Sequence, residues 1–260
     1  MKHNVKVVLI LVLLFLGAQY IGIYINHEYF TKELPLGIQR PQIKQDTSFI
    51  PTTILIIFMT ILILLLARFK LRRIWKAWFF FAVWFALVVS LSVFFSEKVA
   101  ILVALFGAIF KVLETDIYIH NLTELFIYGG LVAIFAPLFS VFSVLILLFI
   151  ISVYDMIAVW STKHMIKLAK FQTSLKVFAG LLIPYGKKKA AILGGGDIGF
   201  PLLFTVVIHQ ALGLKALVIP LFVGLALFLL LVKGKKNRYY PAMPYLTAGC
   251  IAGYFVAYLI

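Results

Sequence analysis

The sequence predicts an all-α integral membrane protein of nine transmembrane helices, a single polytopic domain over residues 1–260. Composition and the placement of charge lead there. Hydrophobic residues make up 64% of the chain and charged ones 13%. Mean hydropathy is +1.10, which does not describe a soluble globular domain. A bilayer admits only helices or closed barrels, and the apolar runs lack a barrel's alternation. The basic residues lie in short runs between apolar segments, so the formal charge of +15 reports topology and lipid contact rather than nucleic-acid binding. The single cysteine, Cys250, excludes an internal disulfide and a multi-cysteine metal site, and reads as a small packing residue.

The first apolar run, 7–25, follows a basic start. It is longer than a signal-peptide core and has a poor cleavage site at Leu16-Gly17-Ala18-Gln19, so it reads as span one. A polar loop carrying Pro35 and Pro41 leads to span two, 50–67. Spans three, 77–95, and four, 99–113, are joined by Ser96-Glu97-Lys98, with Lys111 snorkelling from the end of span four. Span five, 122–140, is interrupted by Pro137, and span six is 141–160. Spans seven, eight and nine are 190–211, 213–232 and 239–260. Three purely basic connections, 68–76, 161–189 and 233–238, hold five, seven and four of the 24 Lys and Arg. They follow spans two, six and eight and so share one face. The N-terminus is then cytoplasmic and the C-terminus outside.

Seven of the nine acids, Glu28, Glu33, Asp46, Glu97, Glu114, Asp116 and Glu124, fall in loops or at span edges by these bounds. Asp155 and Asp197 remain. A charged aspartate at a helix centre costs roughly 2.5–3.5 kcal/mol or more, so each marks a candidate site in search of a partner. At about 1.5 Å per residue, Asp155 lies on the order of 8 Å above the inner end of span six and Asp197 on the order of 10 Å into span seven. Consecutive antiparallel helices are usually neighbours, so the carboxyls can face each other. Two carboxyls at close range cannot both ionise and share a proton. One can then take a proton from water while the other hydrogen-bonds a scissile carbonyl, with no metal or other cofactor. Gly194, Gly195 and Gly196 loosen the backbone before Asp197 and let a substrate strand approach. Small-residue helix packing alone accounts for Gly194 and Gly199, but not for the acid between them.

Tyr154-Asp155, Gly194-Gly195-Gly196-Asp197 and Pro241-Ala242-Met243-Pro244 resemble the YD, GxGD and PAL motifs of the presenilin and signal peptide peptidase family, in order and on the matching spans. The resemblance covers the whole chain. It implies an intramembrane aspartic endopeptidase with Asp155 and Asp197 as its catalytic pair, acting on transmembrane helical substrates. Leucine is usual where Gly195 and Met243 stand, and these departures bear on substrate preference. Pro244 and the topology resemble the presenilin branch, which implies a short prokaryotic, archaeal homologue in the cell membrane. Oligomerisation is not readable from the sequence.

Other residues keep open readings. Pro241 and Pro244 either free carbonyls for substrate or simply start span nine. Tyr154 hydrogen-bonds near the carboxyls or packs, and His209 is interfacial or packed. Ala190-Ala191-Ile192-Leu193 is either the first turn of span seven or an extended edge that pairs with an unwound substrate. A proton-coupled transporter or channel would also use paired intramembrane acids, but no inverted repeat and no second broken span is visible. A noncatalytic scaffold leaves the acids unexplained.

Overall fold

A computed structural model of the chain describes residues 5–69, 71–114, 116–162, 177–185, 189–234 and 240–260. Helix α1 is Val5–Glu28, α2 Phe49–Arg68, α3 Arg72–Leu91, α4 Glu97–Ile109, α5 Ile117–Phe135 and α6 Val141–Met156. An antiparallel hairpin, β1 Gly180–Tyr185 and β2 Lys189–Gly194, precedes α7 Gly195–Leu212, α8 Ile219–Lys233 and α9 Met243–Leu259. Among the described residues six segments are long and apolar enough to cross a membrane: Val5–Glu28, Phe49–Leu66, Arg72–Leu91, Ile117–Leu138, Val141–Ser161 and Gly195–Lys233. Met243–Leu259 is apolar but shorter. The molecule is an integral membrane protein, and its class needs one correction, the hairpin.

Local chemistry explains the ends of several elements. The Asp116 carboxylate caps α5 by accepting the Tyr118 and Ile119 amides, both at 2.9 Å. Ser140 and Ser143 form a reciprocal capping box at α6. Helix α3 begins five residues earlier than 77 because Trp75, Phe79 and Val83 make one buried stripe, while Arg72 and Arg73 stay exposed on the same turn. Span five likewise starts earlier, at Ile117, and gives way at Pro137 to the 3-10 turn Ala136–Leu138.

The core is organised on α7, which packs against α1, α5, α6, α8 and α9. Its residues from Pro201 to His209 are all buried. Helix α9 lies close on α8 because a Cβ at Gly249 or Gly253 would fall 2.9 Å from Val223 Cα or 2.8 Å from Ile219 Cα. Helix α2 has the opposite character. Ile54, Phe58 and Ile61 point outward as a lipid-facing surface. His209 is packed, with Nδ1 at 2.7 Å from the Gly213 carbonyl and Nε2 at 3.2 Å from His27 Nδ1.

Two charged residues depart from their expected places. Lys111 does not snorkel and Glu124 is not at an edge. Both side chains are buried, at 1% exposure each, and pair at 2.6 Å. A π-helical turn, Phe110–Glu114, continues α4 and carries Lys111, whose Nζ also lies 3.2 Å from His120 Nδ1. The second oxygen of Glu124 accepts the Tyr128 hydroxyl. Desolvated charges are tolerated only when their remaining hydrogen bonds are made. The Lys111→Met variant strands the Glu124 charge, and unfolding of the purified protein should show a loss of about 3–5 kcal/mol. A loss below about 1 kcal/mol would mean the pair behaves as a solvated surface bridge.

Candidate functional site

The two intramembrane carboxyls stand on different elements. Asp155 is the penultimate residue of α6, which continues as the π-helical turn Ile157–Ser161. Asp197 lies in the first turn of α7, rather than seven residues into a helix, because residues up to Gly194 are strand. An acid in the first helical turn is favoured by the helix dipole. Asp155 is 8% exposed and Asp197 half-buried. They lie close enough for the charge of one to act on the other.

Each carboxyl is held by backbone. Asp155 Oδ2 accepts the Met243 N–H at 3.0 Å, with the Ala242 amide also in reach. These are among the first amides of α9, which have no partner inside their own helix. Asp155 therefore caps α9 from another helix. A second link, Ser152 Oγ to Thr247 Oγ1 at 2.8 Å, ties α6 to α9 nearby. Asp197 has the Gly194 amide as its backbone partner. A Cβ at Gly194 would come within 3.3 Å of Asp197 Oδ2, so a bare backbone suits this approach.

The hairpin is one-sided. Asn121 of α5 donates Nδ2–H to the Leu182 carbonyl at 2.8 Å and accepts the Leu182 N–H at 3.0 Å. His120 Nε2 sits 2.8 Å from the Gly180 carbonyl. The outer edge of β1 is thus closed by α5. Leu182 pairs with Ile192 in register. Because the amide and carbonyl of Leu182 turn away from β2, this is a non-hydrogen-bonded pair, and those of Ile192 turn away from β1. Ala190 and Gly194, two residues either side, share that outward edge. Among the described residues nothing bonds the outward groups of Ile192, whose side chain is 44% exposed. The open edge runs along β2 to Gly194, beside Asp197.

The remaining expected site residues divide. Leu193 is buried in the core, and Gly196 is exposed at the start of α7. Gly195 packs on Tyr128. The Tyr154 hydroxyl donates to Thr60 Oγ1 of α2 at 3.0 Å, so it ties α6 to α2. Pro244 sits in the first turn of α9 and Pro241 lies outside it, so this motif starts a helix rather than breaking one. It offers amides, not freed carbonyls. Four side chains that support the hairpin and the start of α7 went unexpected: Gln19, Asn121, Glu124 and Tyr128. Gln19 Nε2–H donates to the Ile198 carbonyl at 2.9 Å, next to Asp197. Only Glu124 had a sequence signal, an acid just inside an apolar run. An apolar groove of about 370 Å³ between α8 and α9, lined by Phe222, Leu225, Ala226, Tyr240 and Tyr245, involves neither carboxyl.

A family model described as signal-peptide peptidase, presenilin aspartyl protease matches residues 7–260. Two solved structures, each described as a presenilin family intramembrane aspartate protease, share the fold. One, in space group C222, is 22% identical with a TM-score of 0.70 and covers 97% of this chain and 98% of its own. Another, in space group P2, is 24% identical with a TM-score of 0.68 and covers 96% of each. No curated protein matches the chain.

The cap on α9 can be tested without any activity. Asp155→Ala leaves the Met243 amide unpaired, whereas Asp155→Asn keeps an acceptor oxygen. Hydrogen exchange at the Ala242 and Met243 amides should rise in the alanine variant and far less in the asparagine one. Equal exchange in both would show that water or another group serves the amide.

Proposed function

The chain belongs to the signal-peptide peptidase and presenilin aspartyl protease family, and on that premise we propose that Asp155 and Asp197 are its catalytic pair. The protein is an intramembrane aspartic endopeptidase. One carboxylate takes a proton from water, and the other, protonated, hydrogen-bonds the scissile carbonyl of a transmembrane segment. The GxGD pattern is carried by Gly194, Gly196 and Asp197. Contact of Asp155 with the amides of Ala242 and Met243 gives the third motif its part, which is to fix the orientation of one carboxyl. Nine spans in one polytopic unit, with the N-terminus cytoplasmic and the C-terminus outside, fit the three basic connections. Side-specific labelling of the termini in cells of a prokaryotic host checks that orientation. A proton-coupled transporter is not favoured, because family and fold both match an intramembrane protease.

The observation that carries the reading is the open edge of β2 leading to Asp197. A peptide bond inside a substrate helix is shielded by its own hydrogen bonds. Once unwound in a membrane, its freed amides and carbonyls need partners, at several kcal/mol for each group left without one. Strand addition at the outward groups of Ala190 and Ile192 supplies them. Closure of the β1 edge by Asn121 and His120 leaves β2 as the docking side, and the same strand then reaches Asp197.

A cleavage assay of the purified protein on transmembrane peptides tests the pair. Asp155→Asn and Asp197→Asn should each abolish proteolysis while the fold is retained, since a lone carboxyl cannot serve as both base and acid. Proteolysis surviving in either variant would remove that residue from the mechanism.

The seat is tested separately with Ile192→Pro. Because the Ile192 N–H faces the open edge, proline removes a substrate bond and no hairpin bond. Cleavage of helical substrates should fall far more than that of short, already extended peptides. An equal fall in both, or none, would sink strand docking and leave the catalytic pair standing.

A further inference from the structure

Beside the carboxyls lies a buried polar chain with no part in the chemistry above. Lys111, Glu124 and Tyr128 are 2%, 1% and 3% exposed. Lys111 Nζ holds one oxygen of Glu124 at 2.6 Å, and the Tyr128 hydroxyl donates to the other. With both carboxylate oxygens engaged and no room around them, the Tyr128 hydroxyl is fixed. Its ring lies on α7. A Cβ added at Gly195 would come 2.8 Å from Tyr128 Oη and 3.2 Å from Cε1, and one added at Gly199 would come 3.6 Å from Cδ1. The tyrosine thus spans the helical turn that carries Asp197, close enough for the two groups to interact.

The junction it touches is where the substrate seat becomes the catalytic helix. Gly195 is the first residue of α7 and donates its amide to the Ala179 carbonyl at 3.0 Å, one step beyond the hairpin. A glycine there supplies no side chain to set the angle between β2 and α7. We propose that Tyr128 is a positioning residue. Anchored by the Lys111–Glu124 pair, it fills the space residue 195 leaves empty and holds residues 194–197 so that Asp197 meets Asp155. The inference rests on the assignment of Asp197 above. It also explains why Gly195 is tolerated at this position, since the volume of a side chain is supplied by a neighbour from α5.

A double-mutant cycle on the full-length protein in lipid, with kcat, KM, cleavage position and Tm read for each variant, tests this. Gly195→Ala brings a methyl against the fixed hydroxyl and should lower kcat about tenfold with KM little changed, as expected when a reacting group is displaced. Tyr128→Phe removes the contacting oxygen and should cost about threefold alone, while the double variant regains most of the kcat lost by Gly195→Ala, a coupling typical of residues in contact. Because Tyr128→Phe also takes a donor from Glu124, the double variant recovers kcat while its Tm stays below wild type. A purely structural role would move the two together. Additive losses, a change confined to KM, or kcat that tracks Tm across the cycle would overturn the proposal. Should Gly195→Ala fail to fold, Tyr128→Ala decides, since a widened space must shift or blur the cleavage position and an unchanged position refutes positioning. Inactivity of both aspartate variants with an additive cycle removes only the role of Tyr128, whereas activity in the Asp197 variant removes its foundation.

Discussion

In hydrocarbon every peptide amide and carbonyl needs a partner, and that requirement orders this structure. Most of the chain meets it within helices. Several of the exceptions gather around the two carboxyls and the hairpin. The first amides of α9 are met by Asp155, the carbonyls of Gly180 and Leu182 by His120 and Asn121, and the Gly195 amide by Ala179. Among the described strands, the outer edge of β2 is left open. At β2 the protein thus offers the one kind of surface that an unwound helix lacks.

The same economy explains the buried charges on α5 and the turn before it. Removing Lys111 and Glu124 from water is unfavourable, and apolar residues of similar volume would pack there without that cost. Their use is geometric. A hydroxyl bonded to a doubly held carboxylate cannot rotate away, whereas a phenylalanine ring in the same place can slide. Helix α5 therefore meets the hairpin through Asn121 and meets α7 through Tyr128, about two turns further along the same face, and α7 is packed from five sides.

Much of this was legible in the sequence for physical reasons. Asp155 and Asp197 stand out because an acid in an apolar run is expensive, and the basic connections because membranes sort charge. The hairpin was not legible as such. Ala190–Leu193 is short and apolar, and such a run fits a strand or a buried helix turn equally. Its partner, Gly180–Tyr185, lay inside a stretch that composition marked as loop. Only the pairing of the two runs, with α5 holding the far edge of β1, decides between them. The Lys111–Glu124 pair left no helical signature either, because its members sit on either side of a break between helices. The bond from Met243 to Asp155 uses a backbone amide, which every residue but proline carries.

Strand β2 and helix α7 are one continuous stretch of chain, so Asp197 and the proposed substrate seat travel together, while Asp155 travels with α6. A bilayer thinner or thicker than the apolar spans is accommodated by helix tilt, each helix responding according to its own length. Tilt would then leave the distance from seat to Asp197 almost untouched and alter the gap between the two carboxyls. Lipid chain length becomes a throttle on turnover that hardly affects capture of substrate. Such an enzyme would register the thickness of the membrane it inhabits without any domain devoted to sensing it.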